Sequence, residues 1–173
     1  MFTSVGEIVQ IAYVVADLDE AMAQWNSLGA GPFFAVRRLE YLEQTYRGEP
    51  TDCEIAAAFG YMGNIQIELV QQLNDAPSSF REFLKKHGTG QQHLGILSQN
   101  IAGDTERLEA QGFTQIHRMV STTGVETVLF GTDDHGGTVM ELIEDSPALR
   151  DAFSQMKAAS AEWSPSMPGV IEV

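Results

Sequence analysis

Basic residues are scarce in this chain. Its 173 residues hold 10 lysines and arginines against 24 aspartates and glutamates, a formal net charge of −14. A surface this acidic argues against nucleic acid and anionic membranes as partners, since both want a basic face. Cysteine is scarcer still. Cys53 stands alone, which excludes an internal disulfide and suits a reducing compartment. Apolar runs are short, and none approaches the roughly 20 residues that span a bilayer. Met1-Phe2-Thr3-Ser4-Val5 has neither the basic start nor the apolar centre of a signal peptide. A soluble cytoplasmic protein is expected. Also missing are a Walker loop, a dinucleotide fingerprint and a Ser-His-Asp pattern. What the chain does have is 43% hydrophobic residues, enough for one compact domain over 1–173 with a sizeable core.

The middle of the chain carries a strand signal, Gly90-Gln91-Gln92-His93-Leu94-Gly95-Ile96-Leu97, and what precedes it is repeated after it. Near the N-terminus, Val9-Gln10-Ile11-Ala12-Tyr13-Val14-Val15 reads as a matching strand with Gln10 in the place of His93. Each strand leads to a helix. The first is capped by Asp17, with Glu20 as its box partner, and stops at Gly29. The second runs from about Ile101 to Gln111 and stops at Gly112. Further extended segments follow: Phe33 to Leu42, Glu54 to Phe59 and Ile65 to Val70 in the first copy; Phe113 to Val120, Glu126 to Phe130 and Val139 to Ile143 in the second. Tyr46 to Pro50 reads as a loop, and Asp133-Asp134-His135-Gly136-Gly137 as a turn. The expected organisation is α+β, two β-α-β-β-β modules at about 7–74 and 91–145. A linker helix at about 78–88 joins them. Pro147 then starts a C-terminal helix whose apolar face is Leu149, Phe153, Met156, Ala159 and Trp163, and the tail is extended.

Alternation draws attention to two acids. In Ile65-Gln66-Ile67-Glu68-Leu69-Val70 the carboxylate shares its face with Gln66 and Val70; in Val139-Met140-Glu141-Leu142-Ile143 it shares a face with two β-branched residues. A carboxylate among apolar neighbours needs a buried partner, either an arginine or a cation. Gln10, Glu68, His93 and Glu141 sit on the first and last strands of the two modules. The interval from Gln10 to Glu68 exceeds that from His93 to Glu141 by about ten residues, which the loop around Tyr46 to Asp52 takes up. Any one of the four is an ordinary polar residue. The repeat makes them a candidate ligand set for one central site.

On these residues the chain resembles the vicinal oxygen chelate superfamily, whose folds are paired βαβββ modules curled around a metal. The resemblance covers about Glu7 to Glu144. It implies a curled mixed sheet around a central metal cup, with Gln10, Glu68, His93 and Glu141 as ligands. A Gln/Glu/His/Glu set is similar to that of the animal type of glyoxalase I. Glu68-Leu69-Val70-Gln71-Gln72-Leu73, followed by Pro77-Ser78-Ser79-Phe80-Arg81-Glu82-Phe83-Leu84, resembles the corresponding segment of methylmalonyl-CoA epimerases. Those epimerases have histidine at the first ligand position, where this chain has Gln10. The implied cofactor is one divalent ion (Zn, Ni, Co, Mn, Fe or Mg), as mixed N/O ligands without thiolate allow. The implied activity is that of an isomerase or lyase that abstracts a proton next to a metal-bound carbonyl. Glu141 takes part in proton transfer, and Glu54 resembles the epimerases' second base. A small-molecule substrate, a thioester or thiol adduct, and a homodimer are implied with it.

Two other functions compete: a non-catalytic binding protein of the same superfamily, which would lack the quartet, and a ring-cleaving dioxygenase, which needs two histidines and one carboxylate. His117 alternates with Gln115 and Met119 and is a pocket-lining candidate. Cys53 is expected to be a small buried residue, with no histidine placed to activate it. Arg37, Arg38, Arg47 and Arg118 are candidates for an anionic substrate tail, with solvated surface charge as the default.

Overall fold

The computed structural model describes residues 5–131 and 139–173. The turn expected at Asp133 to Gly137, with His135, lies outside them, as do Met1 to Ser4. In chain order the elements are β1 (Glu7–Val14), α1 (Leu18–Ser27), β2 (Phe33–Leu39), β3 (Tyr41–Tyr46), β4 (Glu49–Pro50), β5 (Ile55–Met62) and β6 (Ile65–Gln72). Then come α2 (Ser79–His87), β7 (Gly90–Ser98), α3 (Ile101–Glu109), β8 (Thr114–Ser121), β9 (Glu126–Gly131), β10 (Val139–Glu144), α4 (Pro147–Glu162) and β11 (Val170–Glu172). No helix among the described residues is long and apolar enough to cross a membrane.

The strands form one mixed sheet in the order β11-β2-β5-β6-β1-β7-β10-β9-β8-β3-β4. The modules have the same topology. In the first, β1 pairs in parallel with the last strand, β6, with β5 and β2 beyond it. In the second, β7 pairs in parallel with β10, with β9 and β8 beyond. The modules meet where β1 and β7 pair antiparallel. Only Glu40 separates β2 from β3, yet β2 pairs with β5 while β3 pairs with β8. The chain thus ties one edge of the sheet to the other, and the sheet must curl into a cup.

Alternation decides what faces outward. Ile67 and Leu69 of β6 join Leu18 and Met22 of α1 and Phe33 of β2 in one core cluster. Leu142 of β10 joins Leu108 of α3, Phe113, Val128 and Phe130 in its counterpart. A third cluster, with Val14, Ile55, Val70, Phe80 of α2, Met119 and Leu129, lines the concave side. Asp17 caps α1 by accepting from the Glu20 amide at 2.9 Å, and Ser78 caps α2 by accepting from the Arg81 amide at 2.9 Å.

Two segments depart from the sequence expectation. Tyr46 to Pro50 is a hairpin rather than a loop, with Tyr46 paired to Glu49 across Arg47 and Gly48. Both turn residues have positive φ, 51° and 82°, as a tight two-residue hairpin turn requires. Arginine seldom adopts that conformation, so the turn gives little sequence signal. The tail is not merely extended either: β11 adds in parallel to β2, where the Arg37 guanidinium holds Asp19 at 2.9 Å and also pairs with Glu172.

Candidate metal centre

The strand register assembles the cup floor on two rungs. On one, Ala12 lies between Glu68 and His93; on the next, Gly95 lies between Gln10 and Glu141. The rungs are two residues apart on β1 and β7, so their side chains share a face. Small residues separate the larger ones. A Cβ on Gly95 would stand 2.5 Å from Gln10 Oε1, so the missing side chain is the space that the Gln10 amide occupies.

Glu68, His93 and Glu141 each offer a ligand atom, and these atoms lie within 4.8 Å of one another. His93 Nε2 faces Glu68 Oε2 at 3.2 Å and Glu141 Oε2 at 3.4 Å. The residues are only 9%, 2% and 7% exposed in the same order, too little for water to neutralise two carboxylates. Burial raises the Glu68 carboxyl above its ordinary range, and the Glu141 charge adds to this, against the lowering effect of His93. On His93 burial acts to lower the pKa, but Glu141 and Glu68 outweigh it and push it up to about 10. The pocket demands positive charge. A proton on His93 and a divalent cation are alternative ways to supply it.

The surrounding hydrogen bonds aim the donors inward. Gln92 Nε2 donates to the Ser79 carbonyl at 3.0 Å, which turns the Gln92 amide oxygen toward His93 Nδ1 at 2.9 Å. That oxygen calls for a hydrogen on Nδ1 and leaves Nε2 to the cup. On the other rung Gln10 Nε2 donates to Gln66 Oε1 at 2.8 Å, and the Gln66 amide nitrogen reaches the Tyr61 hydroxyl at 3.3 Å. Gln10 Oε1 is left buried with no hydrogen-bond partner, and Glu68 Oε2 and His93 Nε2 are buried with only each other and Glu141 within reach. Unpaired buried acceptors are costly. Two oxygens and an imidazole nitrogen left open beside a second carboxylate fit a divalent ion with mixed N/O ligands.

A cavity of about 230 Å³ opens above these four residues. Leu39, Tyr41, Ile55, Phe59, Phe80 and Met119 wall it on the sheet and α2 sides; Leu149, Ala152, Phe153 and Met156 of α4 cover it. The Tyr41 phenol is held well above its usual range, by burial first and then by the Glu68 and Glu141 charges, so it is a neutral hydrogen-bond donor.

The structure thus brings together Gln10, Glu68, His93 and Glu141. It does not bring Glu54 to them. Glu54 precedes β5 and lines a neighbouring cleft with Arg38, whose guanidinium holds it at 2.7 Å. Nor does His117 line the cup. Met119, two residues on, does, but Phe80 packs against His117 (ring centroids 5.4 Å apart) and also lines the cavity. The His117 ring is fully buried with Nδ1 at 3.0 Å from Ser79 Oγ, and burial pushes its pKa down to about 4. Cys53 is buried as expected, and burial raises its thiol to about 11. Arg37, Arg38, Arg47 and Arg118 all pair with carboxylates. Sequence reasoning missed Gln66 and Gln92 as the residues that orient the donors. Gln66 had a signal, since it shares a strand face with Glu68; Gln92 had none, since strict alternation assigns it to the face opposite His93, and only the register shift of β7 against β1 at that point brings its amide to the ring. The placing of α4 over the cup was also not foreseen.

A family model described as the Glyoxalase/Bleomycin resistance protein/Dioxygenase superfamily matches residues 9–130. Among curated proteins none matches the chain. Similar solved structures include methylmalonyl-CoA epimerase from Mycobacterium tuberculosis, with 24% identity and a TM-score of 0.61 over 87% of this chain and 96% of that one. A hypothetical protein from Bacillus halodurans has 18% identity and a TM-score of 0.58 over 81% and 94%. A variant of Streptomyces coelicolor methylmalonyl-CoA epimerase in complex with 2-nitronate-propionyl-CoA has 17% identity and a TM-score of 0.57 over 83% and 97%. At these identities the likeness is one of fold.

Proposed function

From the premise that the chain belongs to the Glyoxalase/Bleomycin resistance protein/Dioxygenase superfamily, we propose that it is a metal-dependent isomerase or lyase that moves a proton on the carbon next to a substrate carbonyl. The observation that carries this reading is the buried cluster of Glu68, His93 and Glu141 with the unpartnered Gln10 oxygen beside it. These four residues would hold one divalent ion. Such an ion, when bound, supplies a Lewis acid that takes up the negative charge developing on a carbonyl oxygen.

The chain supplies the rest. Gln66 and Gln92 hold the Gln10 amide and the His93 ring in place. Tyr41, a neutral phenol, lines the same space. Leu149, Phe153 and Met156 keep water from the reacting carbon. Glu141, on the cup floor, takes the proton; in a lyase it returns it to the neighbouring carbon, whereas in an isomerase a second group must deliver a proton to the opposite face of the same carbon. An acyl thioester is the substrate class that the solved complex of a structural neighbour suggests. For Glu54 to act as a second base its pair with Arg38 must open.

Elemental analysis of purified protein, together with hydrogen exchange into deuterated solvent at the carbon beside a thioester carbonyl, tests the reading. About one divalent ion per chain and metal-dependent exchange are expected. Protein that stays metal-free after incubation with Zn, Ni, Co and Mn would overturn it. Glu54→Gln divides the two mechanisms. A loss of exchange by about 10² to 10⁴-fold, the usual worth of a general base, assigns Glu54 to the reaction. Undiminished exchange leaves Glu141 as the one base.

A further inference from the structure

The lining of the cup restricts what its substrate can carry. Among the described residues around the cavity, His93 is the only side chain able to bear positive charge, and it belongs to the ligand set. Every arginine in the chain is engaged by a carboxylate. On the strands around the cup, Arg37 pairs with Asp19 and Glu172, Arg38 with Glu54, and Arg118 with Glu43 and Glu126. Lys157, beside Met156 on α4, is exposed and absent from the lining. The two carboxylates, Glu68 and Glu141, already balance a divalent ion's charge, so a loaded centre offers a third carboxylate no net attraction. The walls are Leu39, Ile55, Phe59, Phe80 and the α4 residues, and the polar side chains of Ser121, Thr123 and Thr127 carry no charge.

Within the proton-transfer reading above, on which this inference rests, we propose that the reacting end of the substrate is an uncharged acyl or keto group with a small apolar substituent, and that a malonyl-type carboxylate is excluded. Burying an unpaired carboxylate is strongly unfavourable, whereas an alkyl branch of similar size gains from contact with Phe153 and Met156. The cavity volume of about 230 Å³ is below the roughly 300 to 1,000 Å³ of pockets that enclose a whole ligand. Only this reacting end enters, and any carrier remains outside.

The N-acetylcysteamine thioesters of 2-methylbutyrate and methylmalonate test this, since they differ by an ethyl group against a carboxylate. Calorimetry on the full chain, both metal-loaded and metal-free, reads their affinities. The neutral thioester is expected to bind at least 10-fold tighter in both forms. Met156→Lys, which places a cation in the wall, is expected to narrow or reverse that ratio, and Ala152→Lys one turn earlier serves if Met156→Lys does not fold. Equal or tighter binding of the methylmalonyl thioester to wild type would overturn the proposal, as would failure of both thioesters to bind metal-loaded protein. Hydrogen exchange is read separately. Absent exchange with a tightly bound neutral thioester counts against proton transfer and leaves the substrate class standing.

Discussion

Single side chains set the affinity of the cup for a cation. Glu68 and His93 face each other at 3.2 Å and are both buried, so removing either leaves the other unbalanced. Glu68→Gln and His93→Ala are each expected to weaken metal binding by roughly 10-fold or more, a floor set by what disturbing even outer partners costs. Both should keep the native circular-dichroism spectrum, and competition with a chelating dye measures the loss. Wild-type affinity in both variants would refute the ligand assignment. Gly95 tests the same centre without replacing a ligand residue. A methyl group there meets Gln10 Oε1 at 2.5 Å and Ile143 Cδ1 at 3.1 Å. Gly95→Ala is therefore expected to push Gln10 aside and lower metal affinity several-fold, while Ala12→Gly on the neighbouring rung has a smaller effect. The same dye titration compares them.

At the level of elements, α2 links the helix layer to the site. Its cap, Ser78, accepts from the Arg81 amide, and its first residue offers the carbonyl that orients Gln92 and the hydroxyl that meets His117. Ser78→Ala removes the cap and is expected to cost about 1 kcal/mol, read by urea denaturation. Because a frayed first turn also loosens Gln92, metal affinity should fall with it. A stability loss with unchanged affinity would show that Gln92 is held by β7 alone. The C-terminal helix bears on the site from the other side: Met156 approaches Gln66 Nε2 at 4.0 Å and lines the cavity, so α4 touches both the substrate space and the amide network.

The molecule as a whole carries a pH dependence that His117 helps to set. Burial holds its pKa at about 4, against an ordinary 6.5. Below about pH 6.5 the unfolded chain takes up a proton that the folded chain refuses until about pH 4, so stability falls as pH drops through that window. A shift of this size corresponds to about 3 kcal/mol once the pH is below both values. Thermal denaturation of wild type and His117→Gln between pH 7 and pH 4 checks it. The variant should lose less stability over that range, and parallel curves would show that His117 is protonated in the fold. Above pH 6.5 the histidine contributes no slope.

Much of this was written in the chain. The period-two pattern put Glu68 with Val70, and Glu141 with Val139 and Ile143, on one strand face, opposite Ile67, Leu69, Met140 and Leu142, because a strand turns successive side chains to opposite sides. The cap at Asp17 and the glycine stops at Gly29 and Gly112 delimited α1 and α3 through contacts made within a few residues. Repetition of one element order paired Gln10 with His93, and so made one site of four scattered positions. Tertiary structure alone decided the remainder. The pairing of β3 with β8 curls the sheet, and strand partners distant in sequence leave no local trace. Whether Glu54 meets the cup depends on Arg38, and whether His117 does depends on Phe80; both are contacts across elements. The closing of the cavity by α4 rests on where an amphipathic helix docks, which its own apolar stripe does not specify. Local periodicity thus located the charges, and the long-range register determined what surrounds them.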